Sequence, residues 1–244
     1  MFPIVLNTEL KKLKNSPIWL ILLSLPIIPA IIGTFNYIQN IAILQDGWYS
    51  LWTQHTLFTC YFFMPPMIAC FCAYIMRLEH YSTNWNLLLS MPISPSYIFL
   101  SKLTVVSVLI IVSQLWIGSL FIICGKLFNV SGNIPKELYL WLICGTIGSI
   151  SIAAVQLLLS LKIRNFALPI AIAFIGGIFG LAIHAKGFGV YYPYSLMCLG
   201  MRANNPGGPM DCNTIDFVVS NLFFIIIPSV YSVLLLKYSD IYTE

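Results

Sequence analysis

The sequence predicts an all-α polytopic membrane protein with six transmembrane helices, and two observations carry this prediction. Of its 244 residues, 59% are hydrophobic and only 8% are charged, whereas soluble domains carry about 25% charged residues. Six apolar runs are each long enough for the ~17–25 residues that a helix needs to cross a bilayer. They lie at about residues 17–38, 57–76, 98–125, 138–161, 166–184 and 215–236. We therefore expect one transmembrane domain over residues 1–244.

An amphipathic helix is expected before the first span. Between residues 2 and 16, apolar and charged side chains recur at helical spacing, which is typical of a helix lying along a membrane face. The apolar set is Ile4, Val5, Leu6, Leu10 and Leu13, and the charged set is Glu9, Lys11, Lys12 and Lys14. The apolar run that follows is too long for a cleavable signal and lacks an Ala-x-Ala-like site, so we expect it to remain as an anchor.

The distribution of basic residues predicts the orientation. Six spans place both termini on one side of the membrane, and loops rich in Lys and Arg stay cytoplasmic. Eight basic residues fall on the terminal side and four on the other, so both termini are predicted to be cytoplasmic. The eight are Lys11, Lys12, Lys14, Arg77, Lys102, Lys162, Arg164 and Lys237. Bases of this kind account for the net charge of +4 without nucleic acid.

Residues 36–56 are predicted to form an outer loop between the first two spans. The loop is rich in aromatic side chains, which are typical of the headgroup region. These are Trp48, Tyr49 and Trp52, with Asp46 and His55 beside them. Anchoring at the interface is the favoured interpretation, and ligand binding is the alternative.

The stretch of residues 76–102 interrupts the apolar pattern between the second and third spans. Arg77 and Glu79 would each cost about 2.5–3.5 kcal/mol at the bilayer centre, so this segment is expected at or beyond the headgroups. Trp85 and a run of leucines follow, and Pro92 and Pro95 end any helix there. The pattern predicts a short amphipathic helix on the cytoplasmic face, a turn, and a third span that starts near Pro95.

Small residues recur four apart in the fourth and fifth spans. Such faces let helices approach closely, either within one protomer or between two. The sets are Gly145, Ser149 and Ala153, then Ala173 with Gly177, and Gly176 with Gly180.

The longest outer loop joins the fifth and sixth spans. Its aromatic start is apolar enough to dip back toward the membrane, where it would contact an amphiphilic molecule or serve as a structural plug. The residues proposed for this lip are Tyr191, Tyr192, Pro193 and Tyr194. A disulfide between Cys198 and Cys212 is left open, and the seven cysteines show no metal-ligand spacing.

The sequence lacks the signatures of several kinds of chemistry. The chain has no GxxxxGK[ST] phosphate loop, no HExxH and no GxSxG motif. No carboxylate occupies the middle of a span, where proton-coupled pumps usually carry one. We therefore expect a protein that is not an enzyme, holds no metal or cofactor, and takes its energy from another subunit.

A string of residues in the 76–102 segment resembles the membrane subunits of ABC-2 exporters, specifically the permeases of lantibiotic immunity transporters. The string consists of Glu79, His80, Trp85, Leu88, Leu89, Met91, Pro92, Ser94 or Ser96, and Lys102. Residues 9–14, ELKKLK, and residues 192–195, YPYS, are also similar to the family, so the resemblance covers essentially the whole chain. Residues 204–209 are a Gly/Pro-rich departure from its pattern.

The resemblance implies a bacterial cell-membrane permease that works with a separate ATPase. Two permease subunits, identical or homologous, would pair with two ATPase copies that bind ATP and Mg²⁺. The segment after the second span would be the helix that couples to the ATPase. The implied coupling residues are Glu79 and His80, which fix its geometry, and Trp85, Leu88, Leu89 and Pro92. Alternatively, the apolar residues only anchor this segment in the headgroup region of the membrane.

By the same resemblance, the cargo is a cationic antimicrobial peptide that is removed from the membrane and released outside. Two alternatives stay open. The permease could export another substrate, such as a drug, a lipid or a polysaccharide, or the chain could be an immunity protein that sequesters peptide without transport.

Overall fold

The structure is a computed structural model that describes residues 1–80 and 84–238, without the side chains of residues 84 and 86. Its regular elements in this part of the chain are all helical. The α-helices are α1 (Phe2–Lys12), α2 (Ile18–Ser24), α3 (Ile27–Gln39), α4 (Trp48–Phe58), α5 (Met64–His80), α6 (Asn84–Ser90), α7 (Pro95–Leu127), α8 (Leu138–Lys162), α9 (Ala167–Ala185), α10 (Pro193–Gly200) and α11 (Thr214–Tyr238). A π-helical turn, Thr59–Phe63, joins α4 to α5, and a 3₁₀ turn, Gly189–Tyr191, precedes α10.

Six helical segments are long and apolar enough to cross a membrane, which confirms the predicted fold class. They are Ile18–Gln39, Trp48–His80, Pro95–Leu127, Leu138–Lys162, Ala167–Ala185 and Thr214–Tyr238. The second span extends well beyond the predicted residues 57–76, whereas the third exceeds the predicted residues 98–125 by three residues at its start and two at its end. A short helix, α6, lies between these two spans, and its coupling role stays a prediction.

The aromatic stretch predicted as an outer loop is instead the start of the second span, so that prediction is wrong for residues 48–56. Trp52 has no exposed surface; its ring stacks on Trp141 at 5.0 Å between centroids and meets the edge of Phe121 at 4.9 Å. Its indole donates to the Met201 carbonyl at 2.9 Å. A buried indole with its N–H satisfied adds large apolar area to a core, and this burial outweighs the preference of Trp for the interface.

The second span stays continuous through two consecutive prolines by widening into the π-helical turn. Pro65 and Pro66 lack the N–H groups that would reach back to Tyr61 and Phe62 in a regular helix. A π-helical turn absorbs such a defect, since its hydrogen bonds skip one more residue. On α9, Gly177 packs directly on the Tyr61 carbonyl, where any Cβ would collide with the backbone.

Helix α10 is buried throughout its eight residues and packs against α8 and α9. Gly148 of α8 lies against the backbone of Leu196 and Met197, and Gly176 of α9 lies against the Tyr194 ring. The Tyr194 hydroxyl accepts a hydrogen bond from the Gln156 amide at 2.6 Å. The start of the longest loop therefore dips into the bundle, and the glycine faces serve close packing within one protomer.

Candidate functional site: an ion cluster beside α6

Four charged side chains meet at the end of the bundle that carries α1 and α6, which we call the N-terminal face. Glu9 and Lys12 come from α1, Glu79 from the last turn of α5, and Lys102 from the third turn of α7. We call these four residues the ion cluster. Lys102 has no exposed surface, and the two glutamates are each 4% exposed.

Each lysine of the ion cluster bridges both carboxylates. The Lys102 ammonium donates to Glu79 Oε1 at 2.7 Å and to Glu9 Oε2 at 3.0 Å. The Lys12 ammonium donates to Glu9 Oε1 at 2.7 Å and also to Glu79 Oε1. Two acids and two lysines leave no net charge, which is the condition under which buried charges are tolerated. The cluster thus ties α1 to the end of one span and the start of the next.

The sequence of α1 explains why Glu9 faces inward. Val5, Glu9 and Leu13 lie four residues apart and therefore share one helix face, which is the buried one. Lys12 lies three residues after Glu9, so its ammonium reaches the same carboxylate. Residues 2–12 are helical, and the position of this helix along the membrane face stays a prediction. The stripe that it buries contains an acid that meets Lys102, so α1 is joined to the bundle by charge as well as by apolar contact.

Lys12 is the member of the ion cluster that reaches solvent, with 29% of its side chain exposed. Burial opposes its charged form, but the carboxylates of Glu9 and Glu79 outweigh this effect and raise the pKa of the Lys12 ammonium above its ordinary value. Lys12 therefore stays charged throughout the neutral range.

His80 and Trp85 anchor α6 to the bundle. His80 contacts the Ser160 carbonyl of α8 through Nε2 at 3.0 Å, and the Trp85 indole donates to Nδ1 at 3.1 Å. A carbonyl only accepts and an indole N–H only donates, so His80 is neutral with its proton on Nε2. Trp85 has no exposed surface. In this conformation the ring is turned inward and holds α6 in place, whereas its part in coupling to an ATPase stays a prediction.

The surface of α6 and the turn after it offers other apolar residues. Leu88 and Leu89 are half-buried and pack on the core, whereas Pro92 is exposed. The most exposed apolar side chains here are Leu87, at 60%, and Met91, at 41%. A groove of about 440 Å³ connects this surface to the ion cluster, lined by Lys12, Leu78, Glu79, Leu87, Leu88 and Met91.

The aromatic lip at the opposite end of the bundle is only partly available to a ligand. Tyr191 is 70% exposed and Tyr192 is half-buried, whereas Pro193 and Tyr194 are buried in α10. The expectation of substrate contact therefore applies to Tyr191 and Tyr192 in this conformation. Cys198 and Cys212 are free cysteines.

The coupling residues predicted from the sequence omitted three of the four members of the ion cluster. Glu79 was included, but Glu9, Lys12 and Lys102 were not, because the contacts of α1 with Glu79 and Lys102 join residues that are distant along the chain. One signal was present: Glu9 interrupts the apolar stripe of α1, and an acid on the buried face of a helix requires a partner. Among the described residues, no group of three or more His, Cys, Asp or Glu side chains could hold a metal ion.

Comparison with known proteins is consistent with this arrangement. The model of a family described as "ABC-2 family transporter protein" matches residues 5–180, which include the ion cluster, α6, the first four spans and most of the fifth. Neither the curated proteins nor the solved structures gave a match. Because the matched region covers well over half of the sequence, the chain belongs to the ABC-2 family of transporter proteins.

Proposed function

We propose that this chain is the permease subunit of an exporter in which α6 receives the movement of a separate ATPase and the ion cluster passes it to the spans. The carrying observation is the ion cluster itself, which joins α1, α5 and α7 immediately beside α6. A displacement of α6 against this end of the bundle is then delivered to the second and third spans together.

Two features support the role of α6 as the receiving element. Its inner side is fixed by the hydrogen bonds from Trp85 to His80 and from His80 to α8, so the helix is held to the bundle at that side. Its outer side presents Leu87 and Met91 to the surroundings, and exposed apolar patches mark sites of protein or membrane interaction. A rigid inner side with an apolar outer side suits a docking element.

The proposed assembly contains two ATPase copies, which bind ATP and Mg²⁺, and a second permease subunit that is identical or homologous to this chain. Both termini and α6 would face the cytoplasm, where ATP is available. The excess of basic residues on the terminal side supports this orientation.

The proposed cargo is a cationic antimicrobial peptide of the lantibiotic type, taken from the membrane and released outside. Its support is the family resemblance of residues 79–102 and 192–195, together with the exposed ring of Tyr191 and the half-buried ring of Tyr192 at the opposite end of the bundle. Aromatic rings suit an amphiphilic peptide, because they offer apolar area and, on their faces, attraction for cations.

The test is resistance to a lantibiotic in a sensitive bacterium that expresses this chain together with its proposed ATP-binding subunit. We expect resistance with both proteins, and its loss when the Walker lysine of the ATPase is replaced. Resistance that survives the Walker replacement would instead show peptide sequestration without transport. Unchanged sensitivity to peptide, with resistance to a drug, would assign another cargo.

A further inference from the structure

A second groove lies on the same end of the bundle, between α1, α2 and α7, and is separate from the ion cluster. Its volume is about 640 Å³, within the roughly 300–1,000 Å³ typical of ligand pockets. The residues that define it are Leu13, Lys14, Ser16, Trp19, Val108 and Leu109. Nothing in the proposed coupling role uses these side chains.

The polar part of this groove contains a hydroxyl without a hydrogen-bond partner among the described residues. Ser16 is 9% exposed, and its Oγ forms no hydrogen bond with the described part of the chain. Buried polar groups in native proteins nearly always have a partner, and one that lacks it requires an explanation. Because Ser16 lines the groove, a ligand in the groove can supply that partner.

A cation lines the same groove as this hydroxyl. Lys14 lines the groove, is exposed, and forms no salt bridge with the described acidic residues. Lys12, two residues earlier, is already paired with Glu9 and Glu79. The charge of Lys14 is therefore available to an anion.

Apart from Asn15, the remainder of the groove is apolar and extends along α7. Leu109 lies seven residues beyond Lys102 on α7, which is about 10 Å along a helix axis. Trp19 and Val108 are 40% and 42% exposed on its walls. The Trp19 indole donates to the Leu13 carbonyl at 3.0 Å, which fixes the ring at one side of the groove.

From this geometry we infer that the groove is a binding site for an anionic glycerophospholipid of the leaflet that surrounds the N-terminal face. The phosphate is bound by the Lys14 ammonium and the Ser16 hydroxyl, and one acyl chain lies along Trp19 and Val108. The groove combines a cation and a free hydroxyl with apolar walls, as a molecule with a charged head and a hydrocarbon tail requires. An aromatic ring between the two ends is typical of the membrane interface.

The binding test uses the full chain purified in detergent and native mass spectrometry with phosphatidylglycerol or phosphatidylcholine. We expect one phosphatidylglycerol to be retained in preference to phosphatidylcholine. The double variant Lys14→Gln, Ser16→Ala should bind it about tenfold more weakly, since it loses the charge and the hydrogen bond. Lys11→Gln is the matched control, because Lys11 is exposed on α1 but does not line the groove, and it should bind as the unmodified chain does.

Three results would overturn this inference. The first is equal retention of phosphatidylglycerol by the double variant. The second is an equal loss of the lipid in Lys11→Gln, which would show diffuse attraction to basic residues. The third is displacement of the lipid by excess inorganic phosphate, which would show a site for the anion alone. Val108→Trp tests the acyl chain separately, because it fills the groove without changing charge. We expect weaker lipid retention in that variant, and full retention would contradict the placement.

Unfolding midpoints measured without added lipid distinguish a loss of lipid binding from a loss of folding. Ser16→Ala removes a hydroxyl that has no protein partner, so its unfolding midpoint without added phospholipid should equal or exceed that of the unmodified chain. Added phosphatidylglycerol should raise the midpoint of the unmodified chain more than that of Ser16→Ala. A lower midpoint for Ser16→Ala without lipid would show that the hydroxyl serves the fold and would contradict the inference.

Discussion

Replacement of Lys102 by Met breaks the ion cluster at its most buried member. Methionine keeps the length and apolar stem of the lysine but removes the ammonium that contacts Glu79 and Glu9 at 2.7 and 3.0 Å. The two carboxylates, each 4% exposed, then share only Lys12. The variant therefore holds one uncompensated negative charge near the centre of the N-terminal face.

The expected cost follows from the environment of these charges. Two unit charges 4 Å apart attract by about 4 kcal/mol at the effective dielectric constant of 20 that suits protein sites. Removing Lys102 forfeits two such attractions but also recovers several kcal/mol of its own desolvation. We expect a net loss of about 3–5 kcal/mol in the free energy of unfolding, as for other buried pairs that lose one partner. This corresponds to a midpoint lower by roughly 10 °C.

The assay is thermal unfolding of the purified protein in detergent. The matched control is Lys126→Met on the same helix, because Lys126 is exposed and should lose less than about 1 kcal/mol. The double variant Glu79→Gln, Lys102→Met restores neutrality and should recover a large part of the loss. A loss below about 1 kcal/mol in Lys102→Met, or a double variant as unstable as the sum of its singles, would refute the proposed balance of charges.

Three further outcomes are expected from the same structure. Trp85→Phe removes the hydrogen bond to His80 but keeps an aromatic ring; it should lower ATP-dependent resistance more than expression, and equal losses in both would indicate a purely structural role. Gly177→Val places side-chain atoms against a backbone carbonyl of the π-helical turn and should prevent accumulation of folded protein. The control Gly207→Ala should not, because no neighbouring atom lies nearer than 4.0 Å to the added Cβ. Similar yields of the two variants would contradict the close packing. The pKa of Lys12 in the folded chain is raised above 10.5, so its stabilising effect is full below pH 10.5 and is lost as the pH rises above that value. The stability difference between the unmodified chain and Lys12→Met should therefore be constant from about pH 7 to 9 and shrink above 10.5. A difference that already shrinks below pH 9 would contradict the pairing.

The spans were predictable from the sequence because a membrane helix requires a long apolar run, whatever its neighbours are. The start of the second span was not, since Trp48 and Trp52 have the composition of an interface and only the fold shows that Trp141 and Phe121 cover Trp52. Composition indicates an affinity for apolar surroundings, but it does not distinguish lipid from a protein interior.

The candidate site was likewise only partly predictable from the sequence. Glu79 and His80 stood out as polar residues at the end of a span, but the identity of their partners depends on how helices pack. Lys102 lies 93 residues from Glu9 along the chain, and no local pattern connects them. The inward turn of Trp85 likewise depends on His80 being held by Ser160 of α8, a contact between residues 80 apart in the sequence.

The proposed coupling role is tested most directly by co-purification of the chain with its proposed ATP-binding subunit. Leu87 and Met91 are the exposed apolar residues of the docking surface, and Phe188, 61% exposed at the opposite end of the bundle, provides the control. We predict that Leu87→Asp, Met91→Asp abolishes co-purification and ATP-dependent resistance, whereas Phe188→Asp preserves both. A complex that forms equally well with the double variant, or ATP hydrolysis by the purified chain alone, would contradict coupling through α6.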